Sequence, residues 1–338
     1  MATLSSSVLT LADWAKRLDP DGKVDAIVEL LGQSNEILED MLFKEGNLPT
    51  GHRTSVRTGL PSVFWKLLNA GVQPSKSTTA QIDEGLGIME AWSEVDEDLA
   101  ELNGNTAAFR LSEAQAFIEA MNQEMASTLF YGNSGLDPEE FNGLSVRYGD
   151  LSAANAENII DMSLGGDAGN DKTSIWLICW GENSVHGIFP KGSKAGLDHR
   201  DHGLQTIQSE GSGASQIGGV RLRAYQDQFK WKVGLALRDW RFCVRICNID
   251  VSTLLGGTPA DLINGMIKAL HRVPSLNMGK CAFYMNRTCF QQLDIQRRDD
   301  VAAAGMTYKD VDGKLIYSFR GVPIRKVDAL TEAEARVV

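Results

Sequence analysis

Residues 111–135 read LSEAQAFIEAMNQEMASTLFYGNSG, and the organisation of the chain is read outward from them. Leu111, Ala114, Phe117, Ile118, Met121, Met125 and Leu129 recur at spacings of three and four, the period of one helical face. Ser112 and Gln115 have the spacing of a capping box, which would satisfy free N–H groups of a first turn. Gly132-Asn133-Ser134-Gly135 supplies a stop. The spacing predicts a helix over 111–131, about 30 Å long at the usual rise per residue. That is long enough to be the backbone of a domain. Its methionines read as core filler.

On the N-terminal side, Val24, Ile27, Val28, Leu31, Leu38 and Leu42 predict a further helix, with Glu29, Glu36 and Glu39 between them. Residues 47–82 change character. Pro49, Gly51, Gly59, Pro61, Gly71 and Pro74 punctuate them, while Thr54, Val56 and Thr58 alternate with Ser55 and Arg57 as in a strand. This predicts a long extended or hairpin-like excursion, a feature that in compact domains usually serves binding. Its charge is one-sided: Arg53, Arg57, Lys66 and Lys76 with no acid. Residues 83–101 invert it, with Asp83, Glu84, Glu90, Glu94, Asp96, Glu97, Asp98 and Glu101 and no base. Two readings stand: solvated faces of opposite sign, or a basic excursion of one subunit lying over Glu90, Glu94, Asp96, Glu97 and Asp98 of a neighbour. Complementary charge of the second kind sets register and steers association.

On the C-terminal side, Ile175–Trp180 is the longest wholly apolar run and predicts a buried strand. Phe229, Trp231, Val233, Leu235 and Leu237 alternate with polar residues, and the phase flips at Arg238-Asp239, which requires a turn or bulge. Val220–Arg245 carries seven bases against two acids and reads as an exposed sheet face. Thr258-Pro259-Ala260-Asp261 predicts a helix start with Thr258 as cap, and Asn286 caps another running to about Arg298. Asp312-Gly313 between apolar runs is a hairpin signal.

The 338 residues suggest two domains or one with large insertions, and with 43% apolar and 23% charged residues the chain can build a core. Acids outnumber bases 44 to 33, a net charge of −11, which opposes sequence-independent DNA binding. No run approaches the ~20 apolar residues of a spanning helix, and the N-terminus lacks the basic region of a secretory signal. Cys179, Cys243, Cys247, Cys281 and Cys289 sit in apolar surroundings and read as buried thiols of a reducing compartment.

No reaction centre stands out. Asp198-His199-Arg200-Asp201-His202 offers two His and two Asp and reads as a loop; an enzyme would be a metal-dependent hydrolase using His199 and His202 with Asp198 or Asp201. There is no G-x-S-x-G, H-E-x-x-H or phosphate-cradling glycine motif. The residues therefore point to an α+β assembling protein with no catalytic residue, cofactor or metal.

Several stretches carry a resemblance. Glu124–Ser134 (EMASTLFYGNS) with Pro138–Leu144 (PEEFNGL) resembles the end of the spine helix and the following loop of tailed-bacteriophage major capsid proteins. Asn47–Arg53 (NLPTGHR) through Gln73–Ala80 (QPSKSTTA) resembles the extended loop of a podovirus-type subgroup. Cys281–Thr288 (CAFYMNRT) and Phe319–Asp328 (FRGVPIRKVD) resemble the closing strand, helix and hairpin. The resemblance implies the Hong Kong 97-like capsid fold: an N-terminal arm at 1–46, an extended loop at 47–85, and a peripheral domain at 86–149 with the spine helix at 111–131. An axial domain would occupy about 150–260, with 261–338 returning to the axial and peripheral domains. It also implies pentamers and hexamers of the chain itself, forming an icosahedral head that encloses double-stranded DNA without sequence-specific binding. The expected partners are a separate scaffolding protein, since the chain lacks room for a scaffold domain, a portal, and a cement or decoration protein. Assembly is expected in the host bacterial cytoplasm, with no membrane. Gly132, Gly135, Gly211 and Gly213, together with Gly165–Gly169, are the candidate hinges for procapsid expansion. Another virion component, such as a decoration or tail-tube protein, is the structural alternative.

Overall fold

The computed structural model describes residues 32–102, 105–163, 169–209, 220–254, 256, 259–299, 306–311 and 314–338. Its strands in chain order are β1 Phe43–Glu45, β2 Gly51–Gly59, β3 Thr78–Gly85, β4 Gly87–Asp96, β5 Ile159–Asp161, β6 Lys172–Trp180 and β7 Val185–Phe189. There follow β8 Leu197–Ser209, β9 Val220–Leu237, β10 Cys243–Asp250, β11 Lys280–Met285, β12 Met306–Val311, β13 Lys314–Phe319 and β14 Val322–Lys326. The chain divides into two compact units, one containing 88–125 and 196–232, the other 34–87, 126–195 and 233–338.

In the first unit β8 and β9 form a long antiparallel ladder from Leu197↔Trp231 to Ser209↔Val220, with β4 on the other side of β9. A small core of Val95, Ala100 and Phe109 forms here, with Tyr225 against it. The long helix of the sequence is present as Thr106–Tyr131, and residues 106–125 belong to this unit. It begins earlier than the spacing indicated. Asn105 is the cap, its Oδ1 accepting from the Ala108 N–H at 3.3 Å, so Ser112 and Gln115 fall in the helix interior, past the first turn. Leu111 and Ile118 of the anticipated apolar face are exposed, whereas Met121, Met125, Ala126, Leu129 and Phe130 are buried.

The second unit is built on β6. All nine of its residues are buried, because β10 and β11 flank it and both faces are covered. The order continues β11-β14-β13-β12, with β5 beside β10, and the helices Leu262–Arg272 and Arg287–Asp299 belong to the same unit. The core joins Ile175, Leu177, Val244, Ile246, Met266, Phe283, Leu293 and Phe319. Three polar residues open β6, and each finds a partner. Lys172 donates to Asp250 at 2.5 Å, Thr173 Oγ1 accepts from Asn286, and Ser174 reaches Glu334. The segment 330–338 thereby enters the core: Arg245 donates to Glu334 at 2.9 Å, and Asn248 and Val337 exchange hydrogen bonds.

Several expectations change. The helix placed through Leu42 is a single turn, Ile37–Asp40, after which Met41 is extended and β1 begins; its upstream part lies outside the described residues. Asp261 caps the helix Leu262–Arg272, accepting from the Asn264 N–H at 2.9 Å, while Thr258 lies outside the described residues. Asp312 and Gly313 also lie outside them, though β12 and β13 pair on either side. Asn286 caps its helix as anticipated, accepting from Cys289 N–H at 2.8 Å. The phase flip is a short turn, Trp240–Phe242. Arg245 is not on an exposed face; it is buried against Glu334. Cys179 and Cys281 are directly opposed in the β6–β11 register and form a disulfide, which corrects the reading of five free thiols. Cys243, Cys247 and Cys289 remain buried thiols, which burial pushes up to about 12. No helix among the described residues is long and apolar enough to cross a membrane.

The glycine stop after the long helix has a packing reason. Gly143 donates to the Gly132 carbonyl at 2.8 Å, and a Cβ on Gly143 would stand 2.7 Å from the Thr128 carbonyl oxygen and 2.9 Å from Gly132 N. Backbone atoms there cannot yield as a flexible side chain could. Gly143→Ala is expected to lower stability by about 1–3 kcal/mol, the usual cost of forcing atoms into a packed site. Urea unfolding of the variant beside the parent measures it.

Candidate assembly surfaces

β2 and β3 form an antiparallel hairpin from Gly51↔Gly85 to Gly59↔Thr78. Its root packs within the second unit. The buried Glu84 carboxylate accepts from Arg147 at 2.7 and 2.6 Å, and Arg147 also donates to the Asn142 and Leu235 carbonyls. Arg53 pairs with its register partner Asp83 at 2.6 Å, so one anticipated inter-subunit base is held within the hairpin. Arg57, Lys66 and Lys76 are exposed and make no ion pair among the described residues.

Beyond the paired strands lies what the sequence reading missed. Residues 60–77 extend without strand pairing and expose Leu60, Val63, Phe64, Trp65, Leu67, Leu68 and Val72. Trp65 is 104% exposed and Leu68 95%. Single exposed apolar residues are ordinary; a contiguous set marks a surface that another molecule covers. The signal was available in the run Val-Phe-Trp-Lys-Leu-Leu, which has neither helical nor strand period between its turn residues.

The acidic stretch begins on β3 with Asp83 and Glu84 and continues through β4 and the turn of helix after it, Glu97–Glu101. Most of its charges have partners in the first unit. Glu90 is held down to about 2 by hydrogen bonds first from Lys230 and then from Gln228. Glu94 accepts from Gln226 at 2.7 Å, Glu97 pairs with Arg223 at 3.2 Å, and Asp96 caps its own helix through the Asp98 N–H. Asp98 stays exposed. The alternation of β9 thus places its bases beside β4, which accounts for much of the charge contrast seen in the sequence. On β4, Ile88 and Trp92 flank Glu90 on an exposed face.

The Asp198–His202 segment is part of strand β8, not a loop. Arg110 lies between the carboxylates, donating to Asp201 at 2.6 Å and to Asp227 at 2.9 Å. His199 stacks on Phe229 and its Nε2 lies 3.0 Å from Asp227. His202 stacks on Trp92. A guanidinium and two aromatic rings occupy the surroundings that a metal would need, and among the described residues no three His, Cys, Asp or Glu side chains converge on a metal position.

Of the candidate hinges, Gly132 is fixed by the crossing with Gly143, and Gly135 donates to the Asn133 side chain at 2.9 Å. Gly211 and Gly213 lie outside the described residues, as do 165–168; Gly169 is described.

A family model described as Major capsid protein GP7 matches residues 19–338. A chain in the structure of bacteriophage Epsilon15 is similar at 33% identity and a TM-score of 0.77, covering 100% of this chain and 99% of that one. The bacteriophage JBD30 capsid matches at 9% identity and a TM-score of 0.46, covering 90% of this chain and 93% of that one. No curated protein matches the chain.

Proposed function

The chain belongs to the GP7 family of major capsid proteins, and from that premise we propose that the exposed tip of its hairpin is the arm by which one subunit grips the next. Its function is to form the phage head, with the α+β capsid fold of the Hong Kong 97 type, and it resides in the virion shell. Our reading of the assembly runs further. Subunits form pentamers and hexamers that close into an icosahedron around double-stranded DNA, as heterologous contacts that close in rings can do. The acidic net charge keeps packaged DNA from adhering to the wall. The role is structural and not catalytic. A scaffolding protein, a portal and a cement or decoration protein are the partners, and assembly takes place in the host bacterial cytoplasm.

In this reading residues 1–46 are the N-terminal arm, 47–85 the extended loop and 86–149 the peripheral domain with the long helix, while about 150–260 form the axial domain and 261–338 return to the axial and peripheral domains.

The observation that carries this reading is the apolar tip between Leu60 and Val72. A monomer that leaves so many large side chains in water has no counterpart for them within itself, and a neighbouring copy supplies one. Charge refines the contact. With Arg53, Glu90 and Glu97 engaged in their own subunit, Arg57, Lys66, Lys76 and Asp98 are the charges left to set register. Charge reversal tests it. Arg57→Glu is expected to reduce shell yield several-fold, and adding Asp98→Lys to restore part of it, as scored by sedimentation and negative-stain imaging. A double variant no better than the single would remove Asp98 from the interface.

A further inference from the structure

The root of the extended hairpin contains a buried polar pair that neither assembly nor packing explains. His186, in the middle of β7, is 0% exposed, and neither Nδ1 nor Nε2 has a hydrogen-bond partner. An imidazole so placed gives up its hydrogen bonds with water without replacement, which leucine would have avoided. Across from it lies His52 of β2, 9% exposed, its ring edge-on to His186 with centroids 5.9 Å apart. His52 Nδ1 accepts from the Asn47 N–H at 3.3 Å, which leaves the proton on Nε2. His52 stands opposite Glu84 in the hairpin register, so the two rings meet where the hairpin joins its unit.

The charges around the pair are weighted against a third positive centre. Lys44 of β1 acts on both rings and pairs with Glu182 at 2.9 Å. Arg238, just after β9, acts on both. Glu84 of β3 favours a charged His52 but is engaged by Arg147 at 2.6 Å, and the exposed Glu182, paired with Lys44, acts on His186.

We propose that His52 and His186 form an acid-sensitive latch: the two neutral rings hold β2 against β7, and protonating either one drives the hairpin root off the sheet. A proton placed on His186 would be a buried cation facing Lys44, Arg238 and a second imidazole, with the Gly181 backbone and the exposed Glu182 on the favouring side. Opening the root returns both rings to water, where they take up protons at ordinary cost. The hairpin therefore swings free in acid while β6, which carries neither ring and is held by β10 and β11, keeps its structure.

The sign follows from linkage. Burial, then His52, hold His186 down to about 4, against 6.5 for a ring in water. The latch is at full strength above pH 6.5 and weakens as the pH falls toward 4. Between pH 7.5 and 5 the open state gains about thirtyfold from His186 alone. Amide hydrogen exchange of the full-length protein, expressed as protection factors, reads this directly. Protection across 51–59 and 78–85 is expected to drop about thirtyfold between pH 7.5 and 5, with that of 172–180 unchanged. His186→Phe and His186→Gln, which cannot titrate, are expected to flatten the drop to under about threefold, the residue left by His52 and the carboxylates. Equal drops in parent and variant would assign the effect to the carboxylates and overturn the latch. A His186 C–H resonance titrating near 6.5 in the parent would also overturn it, whether or not either variant folds.

Discussion

Replacing Phe64, Trp65, Leu67 and Leu68 together by serine leaves a folded subunit that no longer builds shells. All four side chains are exposed in the isolated chain, so their removal takes nothing from its core. Far-ultraviolet circular dichroism and the unfolding midpoint are expected to match the parent. Association is a different matter. Fully burying one such side chain is worth about 1.5–3 kcal/mol. If the interface recovers only half of that from four residues, the loss is about 4 kcal/mol per contact, or about a thousandfold in affinity. Every subunit makes the contact, so the deficit is repeated around each ring. Sedimentation velocity gives the answer. Shells at parental yield from the serine variant would mean that the tip is ornamental and that assembly rests elsewhere.

The second large effect lies in the sheet around β6. Arg245 is 4% exposed and donates to Glu334, to Ser174 and to the Tyr148 carbonyl. Glu334 also accepts from the Tyr131 hydroxyl at 2.6 Å, and burial together with that carboxylate raises Tyr131 well above its ordinary range. Removing one charge strands the other. Arg245→Ala or Glu334→Ala is expected to cost about 3–5 kcal/mol, the usual penalty for an uncompensated buried ion. The double replacement Arg245→Met with Glu334→Leu is expected to recover about half, because two apolar side chains need no partners. Recovery stays partial since Tyr131 and Ser174 lose their acceptor. A thermodynamic cycle from urea midpoints measures the coupling. Additive single effects would show that the two charges do not act as a pair.

What was legible in the sequence follows from where each signal was generated. The buried strand at Ile175–Trp180, the alternation of β9 and the cap at Asn286 are local patterns, written by the residues that form them. The hairpin was legible for the same reason, as turn residues enclosing a strand pattern on either side of 60–77. The segment Asp198–His202 misled because its charges and small residues look like a loop. It is a strand because β9 offers it a long ladder and Arg110 neutralises its acids, and both facts come from distant sequence. The charge contrast between 47–82 and 83–101 admits solvated faces or a contact between the two stretches, because neither stretch announces β9. The partners of Glu90 and Glu97 turned out to lie on β9, more than a hundred residues downstream. Arg245 looked like one more base on a solvated face, since nothing nearby announces Glu334. The disulfide was likewise invisible, because it depends on the register of two strands whose cysteines are 102 residues apart.

The docking of 330–338 gives the subunit an order of events in time. Lys172 and Arg245 sit at the centre of the sheet, and the backbone and carboxylate of Glu334 satisfy both strands that carry them. These residues are synthesised long before residue 334 leaves the ribosome. Until then the sheet holds a buried cation without its counter-charge, and Asn248, in a left-handed conformation at φ 59°, lacks the Val337 backbone that it bonds on both sides. A growing chain is therefore held short of its final form at the centre of this sheet. Translation order itself therefore delays closure of this sheet until the last residues to be made have docked.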